Sequence, residues 1–391
     1  MTGNLIYFDN AATSWPKPET TLQAMQRYMR EIGGNPGRSG HRLSIDAGRI
    51  ILDTRESLAS LFNIADPLRI ALTKNATEAL NLAIFGLLKP GDHVITSSME
   101  HNSVMRPLRA LEANGVALSV ISCSGKGELD PQDVVRAIGK KTKSVFLTHA
   151  SNVTGTIMPV AEVGRITREE DLIFCVDAAQ TAGALPIDVQ GMQIDLLAFT
   201  GHKSLYGPQG TGGLYVRKGL EGMIAPLMRG GTGSRSEFEE QPDFMPDCYE
   251  SGTPNTVGIA GLGAGAAFVA ARGIESIRTV EEKLTNLFLQ GIENMDGVAL
   301  YGLKAPSPRA PIVSFNIRGI DPAAVALELD ERFQILSRPG LHCAPAAHRT
   351  IGSFPAGTIR FSFGYFNTED QIRTAVEAVR RLNARGAQTG Q

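Results

Sequence analysis

The chain of 391 residues carries 38 Lys and Arg against 40 Asp and Glu, a net charge of −2, with 42% hydrophobic and 20% charged residues. That balance gives nucleic acid or an anionic membrane no electrostatic foothold, and the length suffices for two cores, since a single one rarely grows past ~250–300 residues. The opening run MTGNLIYFDNAATSWPKP has no basic start followed by an apolar core, and the four cysteines (Cys123, Cys175, Cys248, Cys343) show no CxxC pairing. A secretion signal and a disulfide framework are therefore not expected, and the expected compartment is the cytoplasm.

In chain order, apolar runs of strand length occur at 69–73 (RIALT), 93–97 (HVITS), 117–122 (ALSVIS), 144–150 (SVFLTHA), 172–179 (LIFCVDAA), 196–200 (LLAFT) and 212–217 (GGLYVR). Helical patterns lie between several of them: ATEALNLAIFGLL, NSVMRPLRALEANG and PQDVVRAIGK. Such alternation predicts an α/β fold with a mostly parallel, doubly wound seven-stranded sheet covered on both faces. From about Val257 the texture changes. One long helical stretch runs through AGAAFVAARGIESIRTVEEKLTNLFLQGIENM, followed by PIVSFNIRG (311–319), a helix over DPAAVALELDER, GTIRFSFGYF (357–366) and a last helix from Thr368. The uncharged stretch TPNTVGIAGLGAGAAFVAA is too short and too rich in Gly and Ala for a membrane span and reads as a buried helix. The expected division is a large domain over 15–256 and a smaller α+β domain over 257–391, with residues 1–14 packing against the smaller one.

The segment AFTGHKSLYGPQGTGGLYV sets Lys203 in a glycine-rich turn directly after a predicted strand. A P-loop is excluded because His202 precedes the lysine and no helix follows it, and GPQGTGG leads into a strand, unlike a dinucleotide fingerprint. Alone, Lys203 reads equally well as an exposed loop charge. Its company decides the matter, because residues at the carboxyl ends of parallel strands converge on one crevice. Asp177 and Gln180 end one strand, His101 follows another, Asn152 a third, and Ala76 and Thr77 open a helix. Singly these read as a helix cap, a helix-start histidine, a turn former and a plain helix-start residue. Jointly they suit pyridoxal 5′-phosphate. The phosphate would sit on the helix start at Ala76, where free N–H groups and the dipole favour an anion, with Thr77, Thr200 and His202 as added donors. Asp177 would keep the ring nitrogen protonated, Gln180 would bond the ring hydroxyl, His101 would stack on the ring, and Lys203 would bind the aldehyde and carry protons.

Beyond these positions the chain resembles the class V aminotransferase-fold enzymes, specifically the cysteine desulfurase and selenocysteine lyase family. The motifs that carry the resemblance run nearly end to end: YFDNAATS, NPGRSGHRLS, TKNATEALNLA, MEHNSV, SNVTGT, VDAAQTAG, FTGHKSLYGPQGTG, ESGTPN, RPGLHCAP and IRFSFGYFNT. It implies a fold-type I homodimer with its active site at the subunit interface. Thr253 would then reach the cofactor phosphate of the neighbouring subunit, and Arg360 would grip the substrate carboxylate bidentately with help from Asn152. Arg38 and His41 would line the entrance. RPGLHCA matches the short-loop group, with Leu341 standing where those enzymes often carry a histidine.

The implied reaction converts L-cysteine to L-alanine. Cys343 takes the sulfur as a persulfide for delivery to an acceptor protein, and Arg338, His342 and His348, close by in sequence, would favour the thiolate. L-selenocysteine is the alternative substrate, and an aminotransferase, epimerase or β-lyase on the same scaffold the alternative enzyme. A metal site at His342, Cys343 and His348 lacks a fourth ligand, so none is expected. Cys175, inside an apolar strand, is expected in the core.

Overall fold

Strands that are apolar on both faces need helices above and below them, and the computed structural model, which describes residues 5–37 and 40–389, has that arrangement. After β1 (Ile6–Tyr7), helices α1 (Glu19–Arg27) and α2 (Arg42–Phe62) precede the main alternation. This runs β2 (Ile70–Thr73), α3 (Ala76–Leu87), β3 (His93–Ser97), α4 (Asn102–Glu112), β4 (Ala117–Ile121), α5 (Pro131–Ala137), β5 (Thr142–Thr148), α6 (Val160–Glu169), β6 (Ile173–Asp177), β7 (Leu196–Thr200) and β8 (Gly212–Val216). The seven strands order as β2-β8-β7-β6-β5-β3-β4. All neighbours are parallel except β8, which runs antiparallel to both β2 and β7. Period two divides the strand residues between two cores: in β6, Phe174 and Val176 face one while Ile173 and Cys175 face the other. The first core packs under α2 and α6, the second under α3 and α4.

Two differences from the sequence reading have simple causes. The strand expected over 172–179 stops at Asp177, because Ala178 and Ala179 turn away, the Ala179 N–H bonding back to the Asp177 carboxylate at 2.9 Å. The single long helix expected after Val257 is two helices, α7 (Thr256–Arg272) and α8 (Ile274–Ile292), meeting at a bend of 82°. Gly273 makes the corner with φ +80°, a backbone state that side-chain-bearing residues avoid. The connection over 217–255 carries only a 3-10 turn, Glu221–Met223.

Beyond α8 lie β9 (Val298–Tyr301), β10 (Ile312–Ile317), α9 (Pro322–Phe333), β11 (Ile335–Leu336), β12 (Arg338–Gly340), α10 (Pro345–Thr350), β13 (Thr358–Ser362) and α11 (Glu369–Thr389). Four of these strands form an antiparallel sheet, β12-β13-β10-β9, over a core rich in Phe: Phe288, Phe315, Phe361 and Phe363. The N-terminal β1 pairs in parallel with β11, Ile6 opposite Ile335, so the first described residues join this C-terminal layer. In β12 and β13, Arg338 stands directly opposite Arg360.

Candidate active site

One cleft of about 750 Å³, mouth included, opens at the carboxyl ends of the large sheet. Ala76, Thr77, His101, Asn152, Asp177, Gln180, Thr200, His202, Lys203 and Arg360 all line it, together with Arg338 and His342. The strands deliver them: Asp177 and Thr200 are the last residues of β6 and β7, and His101 and Ala76 stand at the starts of α4 and α3.

The helix start at α3 is a ready anion cradle. Asn75 caps it, its side chain accepting the Glu78 N–H at 2.9 Å, and among the described residues no hydrogen bond claims the N–H groups of Ala76 and Thr77. The backbone there passes so close to β8 that a Cβ on Gly212 would lie 2.8 Å from Asn75 Cα, so only glycine permits this seat.

Asp177 is buried, accepts the Ala179 N–H at 2.9 Å, and burial raises its pKa, with the Ala179 bond and the Lys203 charge opposing. A carboxylate so placed gains from a cationic N–H partner. Burial, partly offset by Asp177, brings the Lys203 ammonium down to about 8, so a sizeable share of its amine is free near neutral pH. Its loop is clamped from the N-terminal segment. The His202 carbonyl accepts from Thr13 Oγ1 (3.0 Å), Ser14 N (3.0 Å) and Lys17 Nζ (2.8 Å), and the Lys203 carbonyl accepts from Ser14 Oγ (2.7 Å). Gln180 Nε2 donates to the Ala11 carbonyl at 3.2 Å.

Both histidines of the cleft floor are neutral at pH 7. Burial, then Lys203, lowers His101 and His202 to about 4. His101 caps α4: its Nδ1 accepts the Ser103 N–H at 3.1 Å, so the ring proton resides on Nε2. The helix-start reading of this histidine and its place in the cleft are thus both met. Among the described residues His202 Nδ1 is buried with no partner. Beneath them Glu100, absent from the sequence reading, is fully buried. Its Oε1 accepts from Ser97 Oγ (2.6 Å) and Thr148 N (3.0 Å), its Oε2 has no partner, and burial pushes it up to about 8, which keeps it protonated at neutral pH.

Arg360 is 1% exposed. Its Nη2 donates to Asp9 at 2.7 Å and its Nη1 to the Asn152 carbonyl at 3.0 Å, while its Nε is buried without an acceptor. Sequence reasoning passed over Asp9, although the quoted YFDNAATS contains it. Asn152, expected to help Arg360 with the substrate carboxylate, lines the cleft, and its Nδ2 donates to the His342 carbonyl at 2.8 Å, so it also holds the loop that carries Cys343.

Cys343 is exposed and sits beside the cleft, next to its lining residue His342. Arg338 Nη2 lies 3.7 Å from its Sγ. The expectation that His342 and His348 assist the thiolate as cations is corrected by their burial, which lowers them to about 2 and about 4. They are neutral, bonded to one another at 3.2 Å, and leave Arg338 as the cation on the sulfur.

Two expected residues lie elsewhere in the chain's own structure. Thr253 is exposed in the 217–255 connection's final turn region and lines a neighbouring cleft with Thr73 and Lys74. His41 is the exposed cap of α2, its ring accepting the Ser44 N–H at 3.3 Å. Arg38 lies outside the described residues. Among the described residues no cluster of three or more His, Cys, Asp or Glu could hold a metal ion.

The residues of the cleft fit pyridoxal phosphate. An open helix start answers the phosphate, a buried acid answers the ring nitrogen, a neutralisable lysine answers the aldehyde, and the unpartnered His202 Nδ1 and Arg360 Nε are polar atoms still without a mate.

Comparison with known proteins agrees. The family described as Aminotransferase class-V matches residues 6–374. A probable cysteine desulfurase of Methanothermobacter thermautotrophicus is 36% identical over 386 residues, covering 97% of this chain and 95% of that protein. Cysteine desulfurase IscS of Vibrio campbellii is 34% identical, covering 96% and 92%. Among solved structures, the apo cysteine desulfurase of Thermococcus onnurineus NA1 superposes with a TM-score of 0.91 at 35% identity, covering 97% of this chain and 95% of that one. The cysteine desulfurase CsdA of Escherichia coli gives 0.86 at 28%, with 97% and 95% coverage.

Proposed function

The chain belongs to the aminotransferase class-V family, whose cofactor is pyridoxal phosphate, and from that premise we propose that it is a cysteine desulfurase converting L-cysteine to L-alanine. One observation carries the reading: a lysine with a lowered pKa, a buried acid and a buried arginine share a cleft, and a thiol paired with an arginine stands beside it.

Each residue then has a task. The N–H groups of Ala76 and Thr77, with the side chains of Thr77, Thr200 and His202, would hold the phosphate; Asp177 would partner the ring N–H, Gln180 the ring hydroxyl, and His101 would stack on the ring. Bound through its aldehyde at Lys203, the cofactor supplies an electron sink for the bonds at the substrate's Cα. Arg360 seats the carboxylate on its unspent Nε–H. Lys203 Nζ takes the proton from Cα, and alanine forms when the former Cβ and Cα each regain one proton, these being the proton held on Lys203 Nζ and the one the Cys343 thiol gives up on ionising. Cys343 Sγ, with Arg338 Nη2 3.7 Å away, attacks the substrate sulfur as its thiolate; the Cβ–S bond breaks as the S–S bond forms. The products balance as alanine and a Cys343 persulfide, and no oxidant is consumed.

Thr253 lines a neighbouring cleft and not the one that holds Lys203, which supports a homodimer in which each subunit completes the other's phosphate site. The exposure of Cys343 supports hand-over of its sulfur to an acceptor protein, and a working free thiol fits the reducing cytoplasm. The test is product analysis with L-cysteine: alanine should appear together with a persulfide mapped to Cys343, and Cys343→Ser should abolish alanine release. Unimpaired release by that variant overturns the role of the thiol. L-selenocysteine turnover that survives Cys343→Ser while cysteine turnover is lost would identify a selenocysteine lyase.

A further inference from the structure

We infer that His348 and Ser353 are positioning residues for the sulfur-accepting loop: with His342 they form a fixed hydrogen-bond chain that sets the backbone between Arg338 and Cys343, and thereby the guanidinium–sulfur contact. The inference rests on the desulfurase reading for its role in turnover, but on geometry alone for its effect on the thiol.

The chain can be followed atom by atom. His342 Nε2 lies 2.9 Å from the Arg338 carbonyl oxygen. A carbonyl only accepts, so this nitrogen carries the proton. The ring is neutral, so its Nδ1 is bare, and the His348 Nε2 at 3.2 Å must be the donor to it. His348 Nδ1 is then bare in turn and accepts the Ser353 hydroxyl at 2.7 Å. With both rings neutral, one arrangement of protons satisfies all three contacts. Burial enforces that neutrality: His348 is 0% exposed, His342 3% and Ser353 6%, and the rings stack at 5.3 Å and 26°. Because the chain ends on a carbonyl, it leads no proton to the sulfur. Its effect is mechanical.

The loop needs such support. His342 and Cys343 adopt φ +49° and +57°, two successive left-handed residues that are not glycine, a conformation that persists only where the surroundings over-determine it. Asn152 Nδ2 holds the His342 carbonyl at 2.8 Å and Asn102 N holds the Cys343 carbonyl at 2.8 Å. Neither touches the start of the loop at Arg338; the histidine chain does. It anchors that start to α10, which is itself tied to the large sheet by Thr350 Oγ1 donating to Ser98 Oγ at 2.9 Å.

The experiment compares His348→Phe and Ser353→Ala, which break the chain, with His348→Gln and Ser353→Thr, which keep a donor to His342 and a hydroxyl to His348. In each holoenzyme the iodoacetamide alkylation rate of Cys343 is followed by peptide mass spectrometry, alongside kcat and KM for L-cysteine. The breaking variants should slow Cys343 alkylation and lower kcat by about tenfold or more, the scale of one lost charge-assisted contact, with KM within about twofold. The keeping variants should restore both readings to within about twofold of the parent. Unchanged alkylation in folded breaking variants overturns the proposal, as does a Gln or Thr variant that behaves like its broken counterpart. Should His348→Phe not fold, the Ser353 pair decides alone. If no variant, nor the parent, forms alanine, the desulfurase reading fails, while the alkylation rates still judge the chain.

Discussion

Replacing Arg360 by lysine probes the substrate seat most directly. The guanidinium spends Nη2 on Asp9 at 2.7 Å and Nη1 on the Asn152 carbonyl at 3.0 Å, leaving Nε and the second hydrogen of each Nη for a carboxylate. A lysine ammonium offers three donors from a single point, and Asp9 is the partner already in place to take them. The substrate carboxylate then loses two charge-assisted hydrogen bonds at ~1.5–3 kcal/mol each, so ~3 kcal/mol or more, about a hundredfold in affinity. The carboxylate is remote from the breaking Cβ–S bond. Its binding is therefore the same in ground and transition states, and the loss should fall on KM, with kcat within about threefold. Initial rates of alanine formation across L-cysteine concentrations measure both constants, and the cofactor absorbance band confirms that the site remains loaded. A KM within about threefold of the parent, or a fall in kcat at constant KM, would refute the assignment of Nε as the seat.

Cofactor uptake by the apoprotein needs the neutral Lys203 amine, so its rate should rise with pH, reaching half its maximum near 8; a midpoint at the ordinary lysine value of 10.5 would contradict the effect of burial. Glu100, raised from 4.5 to about 8, binds its proton more tightly folded than unfolded. Stability drawn from it is complete below 4.5 and is lost as pH climbs to about 8, at no more than ~1.4 kcal/mol per pH unit. Glu100→Gln, which keeps the Oε1 acceptor, should remove that slope in denaturant melts from pH 5 to 8, and an equal slope in parent and variant would place the titration elsewhere. Gly273→Ala meets no crowding, Ser276 Oγ being 3.8 Å from the added Cβ, so its expected cost of about 1–2 kcal/mol in chemical denaturation comes from the φ of +80° alone.

The large sheet was legible because its strands are apolar on both faces and separated by helix-length periods, a pattern few folds satisfy. Asp177, Lys203, Gln180 and His101 were legible as a set for the same reason: strand ends of a parallel sheet converge, so their sequence positions imply their meeting. The bend at Gly273 escaped because a helical period continues on both sides of it, and one glycine in a helix is tolerated often enough to carry little weight. Asp9 escaped for another reason. It lies 351 positions from Arg360, two residues past β1, where an isolated parallel bridge sets it beside Ser362, a meeting no local pattern announces. The charge states of His342 and His348 were beyond reach as well, since closeness in sequence to Cys343 says nothing about burial, and burial decides whether an imidazole is a cation.

The two sheets contribute different halves of the chemistry, and the residues that join them explain why the sulfur acceptor can be both exposed and aligned. Asp177 ends β6 and Lys203 stands in the turn after β7, both at the carboxyl edge of the large sheet, whereas Arg360 and Arg338 are cross-strand neighbours in the small one. Two arginines face to face repel. Arg360 meets the Asp9 carboxylate, while the Arg338 guanidinium reaches away to within 3.7 Å of the Cys343 sulfur. Substrate carboxylate and sulfur acceptor are thereby fixed one strand apart. Asn152, at the end of β5, then ties the small sheet to the large one twice, by its carbonyl to Arg360 and by its amide to the His342 carbonyl. Cys343 is held from both sides, its loop by the Asn152 amide and its own carbonyl by the Asn102 N–H at the start of α4, so the exposed thiol keeps its place between the two sheets. That arrangement lets the thiol stand open to an acceptor without forfeiting its aim at the substrate.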